Sequence, residues 1–340
     1  MSIKSYIFPS VFEGHNTNLQ NVTDDQLRGM KIREGETDYI VGDLALSEGH
    51  SPHKAINSSP HDIDYKLLLS AGLLTAANGS DEAITLTTGF PFSTIQINQK
   101  DASSLISNVQ SITQDTRPFG GKDHQIRSVS INKVDIIPEL IGCIIAARNG
   151  EMDKKGNFFM VSLGYGTLEI GLSTDEGIIQ RTFNSASGIR FAIDLAMKEL
   201  AKTHYLGLRT EHQFDTAFRR GNITTNRKRI DLSDLRKQVL TQYYKDVVSP
   251  LIKNTWTDDD FNRANTIVLV GGGSLYPDLV DCFREEFAGF ANIEIPSDPL
   301  TMASQGYCIR SQKLAGNGNG LAVGLDIGNA HTTVSIYEPE

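Results

Sequence analysis

Three times along this chain an apolar run of strand length stops abruptly at glycine. The last instance spans residues 321–337, where Leu-Ala-Val-Gly-Leu leads into Asp326-Ile327-Gly328 and an alternating His/Thr/Val/Ser/Ile/Tyr run leads out. That pattern predicts a strand, a tight turn and a second strand. Residues 158–172 repeat it: Phe-Phe-Met-Val-Ser-Leu, then Gly164-Tyr165-Gly166-Thr167, then a second alternating strand. Two such hairpins about half a chain apart predict an internally duplicated architecture with a phosphate group held between the two turns. The third instance, residues 265–279, is a buried strand running into Gly271-Gly272-Gly273-Ser274 and then a helix.

The remaining pattern fills in around these. Residues 5–12 read as a strand ended by Pro9, and residues 38–43 as a short strand entering a turn. Residues 46–60, rich in Ser, His, Asn and Pro, read as a loop. Leu67, Leu68, Ala71 and Leu74 recur at helical spacing, predicting an amphipathic helix over residues 64–77. Residues 83–91 and 129–136 read as strands, the first stopping at Gly89 and Pro91. Residues 137–147 follow as a helix with Pro138 in its first turn. The meander continues over 178–183, residues 184–188 cap a helix over 189–201, and residues 202–265 are mostly helical and polar. A helix over 301–313 presents Ala303, Gly306 and Tyr307 as a close-packing face, and Ala-Gly-Asn-Gly-Asn-Gly at 315–320 is a flexible connector.

Composition narrows the class. A chain of 340 residues can form two domains, and 39% apolar with 21% charged residues is ordinary for a soluble globular protein. No apolar run reaches the ~20 residues of a membrane span, and no secretory signal is evident, so a cytoplasmic location is expected. Cys143, Cys282 and Cys308 lie far apart and read as buried free thiols. A net charge of −9 argues against a broad nucleic-acid face, so a DNA connection would run through a partner.

Several residues carry candidate chemistry. Gly328 can supply a positive φ and close backbone approach, while Asn329, His331, Thr332 and Thr333 offer amides and short polar groups to an anion. Asp326 can hold a hydrated cation beside them. The alternative is a glycine hairpin that only closes a sheet. Glu139, at a helix N-terminus just after a strand, stands where α/β folds place ligand chemistry, or merely complements the helix dipole. The three glycines at 271–273 would let a base and ribose lie against the backbone, or simply allow close packing. Arg219, Arg220, Arg227, Lys228 and Arg229 form the one basic cluster, either a solvated face or a contact for a partner or nucleotide. His50, His53 and His61 could hold a metal, though no Cys or carboxylate stands at a recognised spacing.

Together these motifs resemble the set found in the actin-like ATPases, and most closely the bacterial plasmid-segregation actins of the ParM/StbA type. Ile-Phe-Pro-Ser near the N-terminus, Thr-Thr-Gly-Phe-Pro at 87–91 and Ile-Pro-Glu-Leu at 137–140 also resemble that subfamily. The resemblance implies an α/β actin-like ATPase fold: two ribonuclease-H-like domains flanking a nucleotide cleft. Residues 1–157 with 300–340 would form domain I and residues 158–299 domain II. The family's opening Asp-x-Gly hairpin comes last here, and residues 2–12 resemble the strand that should follow it. That order implies a circular permutation cut in the turn after the first hairpin.

By the same resemblance Asp326, Gly328, Asn329, His331 and Thr332 line one side of the phosphates, and Gly164, Tyr165, Gly166 and Thr167 the other. Gly271, Gly272, Gly273 and Ser274 support the nucleoside. Glu139 orients the attacking water, Asp326 holds Mg²⁺ through water, and ATP or GTP is hydrolysed by in-line attack. The family usually has Asp at the position of Ser162, and actin's lysine late in the first hairpin is matched by Thr333, so slowed turnover is implied. The implied biology is a filament that segregates plasmid DNA through a DNA-binding adaptor, with no direct nucleic-acid or membrane contact. A non-polymerising chaperone-like or kinase-like ATPase and a non-hydrolysing nucleotide-binding scaffold are the other readings.

Overall fold

The computed structural model describes residues 2–54, 59–206, 211–316 and 320–338. The chain divides into two compact units, Met1–Asp153 with Thr301–Glu340, and Lys154–Leu300. The first unit runs β1 (Ser2–Pro9), β2 (Val11–Gly14), β3 (Lys31–Glu34), β4 (Thr37–Val41), α1 (Asp43–Glu48), β5 (His53–Lys54), α2 (Ile63–Ala77), β6 (Ile84–Phe90), α3 (Ile95–Ser107), β7 (Ser111–Asp115), β8 (His124–Ser128), β9 (Ile131–Pro138) and α4 (Glu139–Asn149). The second unit follows with β10 (Phe158–Leu163), β11 (Thr167–Thr174), β12 (Gly177–Ser187), α5 (Arg190–Ala201), α6 (Glu211–Arg220), β13 (Asn222–Thr225), β14 (Lys228–Asp231), α7 (Ser233–Tyr243), α8 (Ser249–Thr255), α9 (Asp258–Arg263), β15 (Thr266–Val270), α10 (Pro277–Glu286) and β16 (Asn292–Glu294). The chain then re-enters the first unit with α11 (Met302–Ala315), β17 (Leu321–Ile327) and β18 (His331–Glu338). Of the predicted connector, residues 317–319 lie outside the described residues.

The main sheet of the first unit has the order β1-β18-β17-β6-β9, and that of the second β12-β11-β10-β15-β16. In the second unit β10, β11 and β12 form an antiparallel meander, and β15 and then β16 add in parallel beyond β10. The first unit has the same plan if its strands are taken from β17 through β18 to β1, then β6 and β9. β17 sits centrally, antiparallel to β18 and parallel to β6, with Leu325 opposite both Val334 and Thr88.

Packing explains why β17 alternates as it does. On one face Gly72 of α2 lies against the Leu325 side chain, and on the other Gly324 lies against the α11 backbone, where a Cβ would overlap the Ser304 carbonyl. A parallel strand covered on both faces needs apolar or absent side chains throughout. α11 is held equally closely by α4, because a Cβ on Gly306 would overlap the Gly142 carbonyl. The predicted close-packing face is there, built around Gly306 and a fully buried Tyr307.

Several expectations need correction. α2 is not amphipathic: Tyr65, Leu67, Leu68, Leu69, Ala71, Leu73, Leu74 and Ala76 are all buried, since sheet and loops cover it on nearly every side. Residues 184–187 belong to strand β12 rather than to a helix cap, and α5 begins without a side-chain cap. Pro138 precedes α4 in extended conformation instead of lying in its first turn. The loop at 46–60 contains the end of α1 and the short β5, and residues 55–58 lie outside the described residues. Within the stretch 202–265, expected to be mostly helical, the helical run from Ser233 to Thr255 is interrupted by a π-helical turn, Tyr244–Val248, just before Pro250. Proline offers no N–H for the i−4 carbonyl, and widening the turn relieves that conflict.

Candidate functional site

In the first unit the candidate residues stand at the carboxyl ends of three neighbouring parallel strands, β17, β6 and β9, the edge where α/β sheets carry ligands. β17 ends in Asp326 and Ile327, and residues 328–330 turn the chain into β18. Two tethers fix that turn: Gly328 N–H donates to the His331 carbonyl at 3.1 Å, and Ser10 N–H donates to the Ala330 carbonyl at 3.0 Å. Gly328 does not take the positive φ expected of it. Glycine is required there for space, as a Cβ would stand 2.8 Å from the His331 carbonyl. Asn329 and His331 are half-buried on this turn, whereas Thr332 is fully buried with its hydroxyl on Ser10 Oγ at 3.0 Å. Thr332 therefore has no side-chain group left to offer a ligand.

Strand alternation puts Asp326 on the same face as Gly324, the face covered by α11. Its register partner is Thr333, buried with an Oγ1 that makes no hydrogen bond among the described residues. β9 delivers Glu139 to the same edge as the first residue of α4. Withdrawal from water pushes the Asp326 carboxyl well above the usual carboxylate range, and the charge of Glu139 adds to the push. A pair of this kind is short of positive charge, and a hydrated divalent cation would relieve it. The orphaned Thr333 hydroxyl and the α4 N-terminus suit a hydrated cation with its phosphates.

In the second unit the candidate residues lie on the β10–β11 turn. Ile189 N–H donates to the Gly164 carbonyl and Arg190 N–H to the Tyr165 carbonyl, both at 3.0 Å, and Gly188 N–H donates to Gly166. The turn's carbonyls are thus committed to the start of α5. Because C=O and N–H point opposite ways in a trans peptide, the amides of Tyr165 and Gly166 are aimed away from α5. Successive amides so aimed make an anion-binding concavity. Gly188 is what lets the two segments meet, since a Cβ there would stand 2.5 Å from the carbonyls of both Gly164 and Tyr165.

Ser162, near the end of β10, is buried, and its register partner is Glu169, also buried at 1% exposure. Glu169 was not singled out from the sequence. The available signal was one acidic residue in the otherwise apolar Thr-Leu-Glu-Ile-Gly-Leu strand, two positions past the turn. Directly opposite in register, the carboxylate at 169 shares a sheet face with Ser162.

The three glycines after β15 differ in why they are glycine. Gly271 has φ +79° and a Cβ would stand 2.8 Å from the Leu163 carbonyl; Gly273 is pressed against Leu163 and Ile189. Ser274 is buried with its hydroxyl spent on the Gly271 carbonyl at 2.7 Å, so it braces the turn instead of reaching outward. Only Gly272 has room, its nearest neighbour being a Leu300 methyl at 3.8 Å. Packing does not require glycine there. Gly272→Ala is expected to shift unfolding free energy by less than about 1 kcal/mol. Chemical denaturation of the variant beside the wild type will measure it.

Among the described residues the only grouping of three metal-ligand side chains is Asp38, Asp115 and His124, in the six-stranded sheet β5-β2-β4-β3-β7-β8. The protein supplies its own cations there. Lys31 Nζ stands 3.1 Å from Asp115 and 3.7 Å from Asp38, and Arg117 and Arg33 fork onto the same two carboxylates. Burial alone would raise the Asp115 carboxyl, but Arg117 and Lys31 outweigh it and hold it at about 2. The histidines considered for a metal do not gather: His61 pairs with Asp101 at 2.8 Å, and His53 packs on Phe12.

Two duplicated sheets of this order, each with a glycine turn at the end of its first hairpin, define an actin-like ATPase fold. Residues 2–142 match the family model described as the N-terminal domain of actin-like proteins, a span that leaves out β17 and β18. The chain is similar to a non-polymerisable quadruple mutant of pCBH ParM (18% identity, 90% of this chain and 92% of that one, TM-score 0.72). It is also similar to ParM in a 15-stranded filament from Clostridium botulinum (15%, 90% and 92%, 0.69) and to Ta0583, an archaeal actin homologue, in complex with ADP (16%, 89% and 91%, 0.67). No curated protein matches the chain in sequence. Among the described residues no helix is long and apolar enough to cross a membrane.

Proposed function

We propose that the chain is a ParM-like actin: it binds ATP or GTP with Mg²⁺ in the cytoplasm, assembles into filaments, and segregates plasmid DNA through a DNA-binding adaptor. The single observation that carries this reading is the placing of Asp326 and Glu139 at one sheet edge, beside the tethered Gly328 turn. Gly328, Asn329 and His331 take the phosphates from the first unit, and the amides of the Gly164–Thr167 turn take them from the second. In the turn Gly271 to Gly273 it is Gly272 that leaves space for the nucleoside. Asp326 holds the metal's water shell, and bound Mg²⁺ would supply charge neutralisation at the phosphates. Glu139 orients a water and accepts its proton. Glu169 partly replaces the carboxylate missing at Ser162, and turnover is slow. The ADP bound by Ta0583 and the filament formed by the clostridial ParM support the nucleotide and the polymer respectively.

The strand order also supports the permuted reading, with Met1–Asp153 and Thr301–Glu340 as domain I and Lys154–Leu300 as domain II. Taking β17 and β18 before β1 makes the two sheets alike in order and direction. A non-hydrolysing scaffold is the second reading, favoured by the neutral Ser162 alone.

The test is phosphate release and pelleting with ATP, ADP and no nucleotide. Assembly that requires triphosphate is expected, and Glu139→Ala should lower phosphate release at least about a hundredfold while nucleotide still binds. Release that is undiminished in Glu139→Ala would remove Glu139 from the mechanism, and no nucleotide binding at all would sink the reading.

A further inference from the structure

The basic cluster picked out in the sequence is given no role in the function proposed above. The structure divides it between the end of α6 (Arg219, Arg220) and the β13–β14 hairpin, with Arg227 in the turn and Lys228 and Arg229 at the start of β14. The hairpin is firmly rooted. Ile223 is buried, Ile230 packs on the same core, Leu232 N–H bonds the Gly221 carbonyl at 2.9 Å, and Thr225 Oγ1 donates to the Tyr205 carbonyl at 2.8 Å. Its tip, Asn226 to Arg229, is exposed. Among the described residues Arg220, Arg227, Lys228 and Arg229 form no ion pair, and Asp231, on the same strand, spends its carboxylate on Ser233 N–H.

The turn itself is also unusual. Asn226 and Arg227 both have positive φ, +48° and +63°. Two-residue hairpins of this type favour Asn-Gly, and a long side chain at the second position is sterically disfavoured. The chain therefore keeps a cation at its most projecting position where glycine would fit the backbone better.

The rest of the chain indicates what this tip meets. Unit Lys154–Leu300 has 18 basic and 19 acidic residues, and the other unit has 14 and 22, so the net −9 divides as −1 and −8. The acidic unit has exposed carboxylates outside its nucleotide half-site, among them Glu34 and Glu36 on either side of Gly35 at the β3–β4 tip. We propose that the Arg227–Arg229 tip docks on the acidic unit of a second copy of this chain. Basic tip and acidic unit are different surfaces, so the contact is heterologous, and heterologous contacts that do not close into a ring propagate as open filaments. A nucleic acid suits the tip less well, because the remainder of the molecule would repel it. The proposal rests on the filament reading and names the contact behind it.

The experiment uses the full chain with nucleotide, following assembly by pelleting and sedimentation velocity at about 25 mM and 300 mM salt, on either side of the ~10 Å screening length near 0.1 M. Wild type is compared with R227E/K228E/R229E and with R227G, which suits the turn and cannot fail for lack of a fold. At low salt the triple reversal is expected to raise the concentration needed for assembly at least about tenfold, and R227G about threefold. Wild-type assembly should weaken at high salt, and the triple variant should lose that sensitivity. Equal assembly by all three proteins overturns the proposal. So does loss of binding to a duplex DNA fragment with assembly unchanged, which would make the tip a nucleic-acid contact. A fluorescent-nucleotide titration on the same samples separates the two readings: nucleotide binding with a wild type that stays monomeric removes the tip contact alone, and tip-dependent association without nucleotide binding removes the nucleotide reading alone.

Discussion

Asp326→Asn is expected to abolish most Mg²⁺-dependent nucleotide binding while making the nucleotide-free protein more stable at neutral pH. A charged hydrogen-bonded contact contributes about 1.5–3 kcal/mol, so affinity should fall roughly 10- to 150-fold. The stability gain follows from the raised Asp326 pKa. A carboxyl that holds its proton more tightly when folded favours the folded state in acid. That contribution is lost as pH rises from the unfolded value, about 4, through the folded one. Asparagine does not titrate, so the loss disappears. Denaturant unfolding without nucleotide at pH 5 and pH 7.5 should show wild type declining across that interval and Asp326→Asn declining less. An equal decline in both would mean that the aspartate is not the group under tension. Such tension is common where a site is shaped for a ligand at the expense of the empty protein.

Gly306→Val is expected to be the most damaging single change outside the nucleotide site. A Cβ at 306 would overlap the Gly142 carbonyl, and backbone has no alternative rotamer with which to move aside. α11 must then lift from α4, and Tyr307, fully buried between the helix and the Gly89 and Gly142 backbones, must move with it. Overpacking ordinarily costs about 1–3 kcal/mol and more where backbone must shift, so a loss of at least 3 kcal/mol is expected. Chemical denaturation would measure it. A loss under about 1 kcal/mol would show that the crossing of α4 and α11 is looser than described. Because α11 also backs Gly324 and the strand carrying Asp326, any folded fraction should bind nucleotide poorly.

How much of this could be read in advance depended on whether a residue's role was local. β17 was legible because Leu-Ala-Val-Gly-Leu before Asp-x-Gly is a strand and turn in almost any context. Its central place between β18 and β6 is a long-range fact that no local pattern encodes. α2 was misjudged for the same reason: four apolar positions make a stripe, but Tyr65, Leu69 and Leu73 are buried too, and only the tertiary surroundings require it. The β13–β14 hairpin escaped notice because its strands are polar and its turn is Asn-Arg rather than Asn-Gly. Within the site, the residue types at the turns were readable, but their duties were not. Gly328 serves close approach instead of a positive φ, Ser274 and Thr332 are consumed internally, and Glu169 has meaning only through its register with Ser162.

The route of the chain through β17 has a consequence for biogenesis. Lys154–Leu300 is one uninterrupted segment with its own core, and it can fold as soon as it leaves the ribosome. The other unit cannot: the strand at the middle of its sheet comes after the whole of Lys154–Leu300, so β1 and β6 emerge long before the neighbour that joins them. Until β17 and β18 are made, β1 and the parallel pair of β6 and β9 have no shared strand, and the sheet of this unit stays in two pieces.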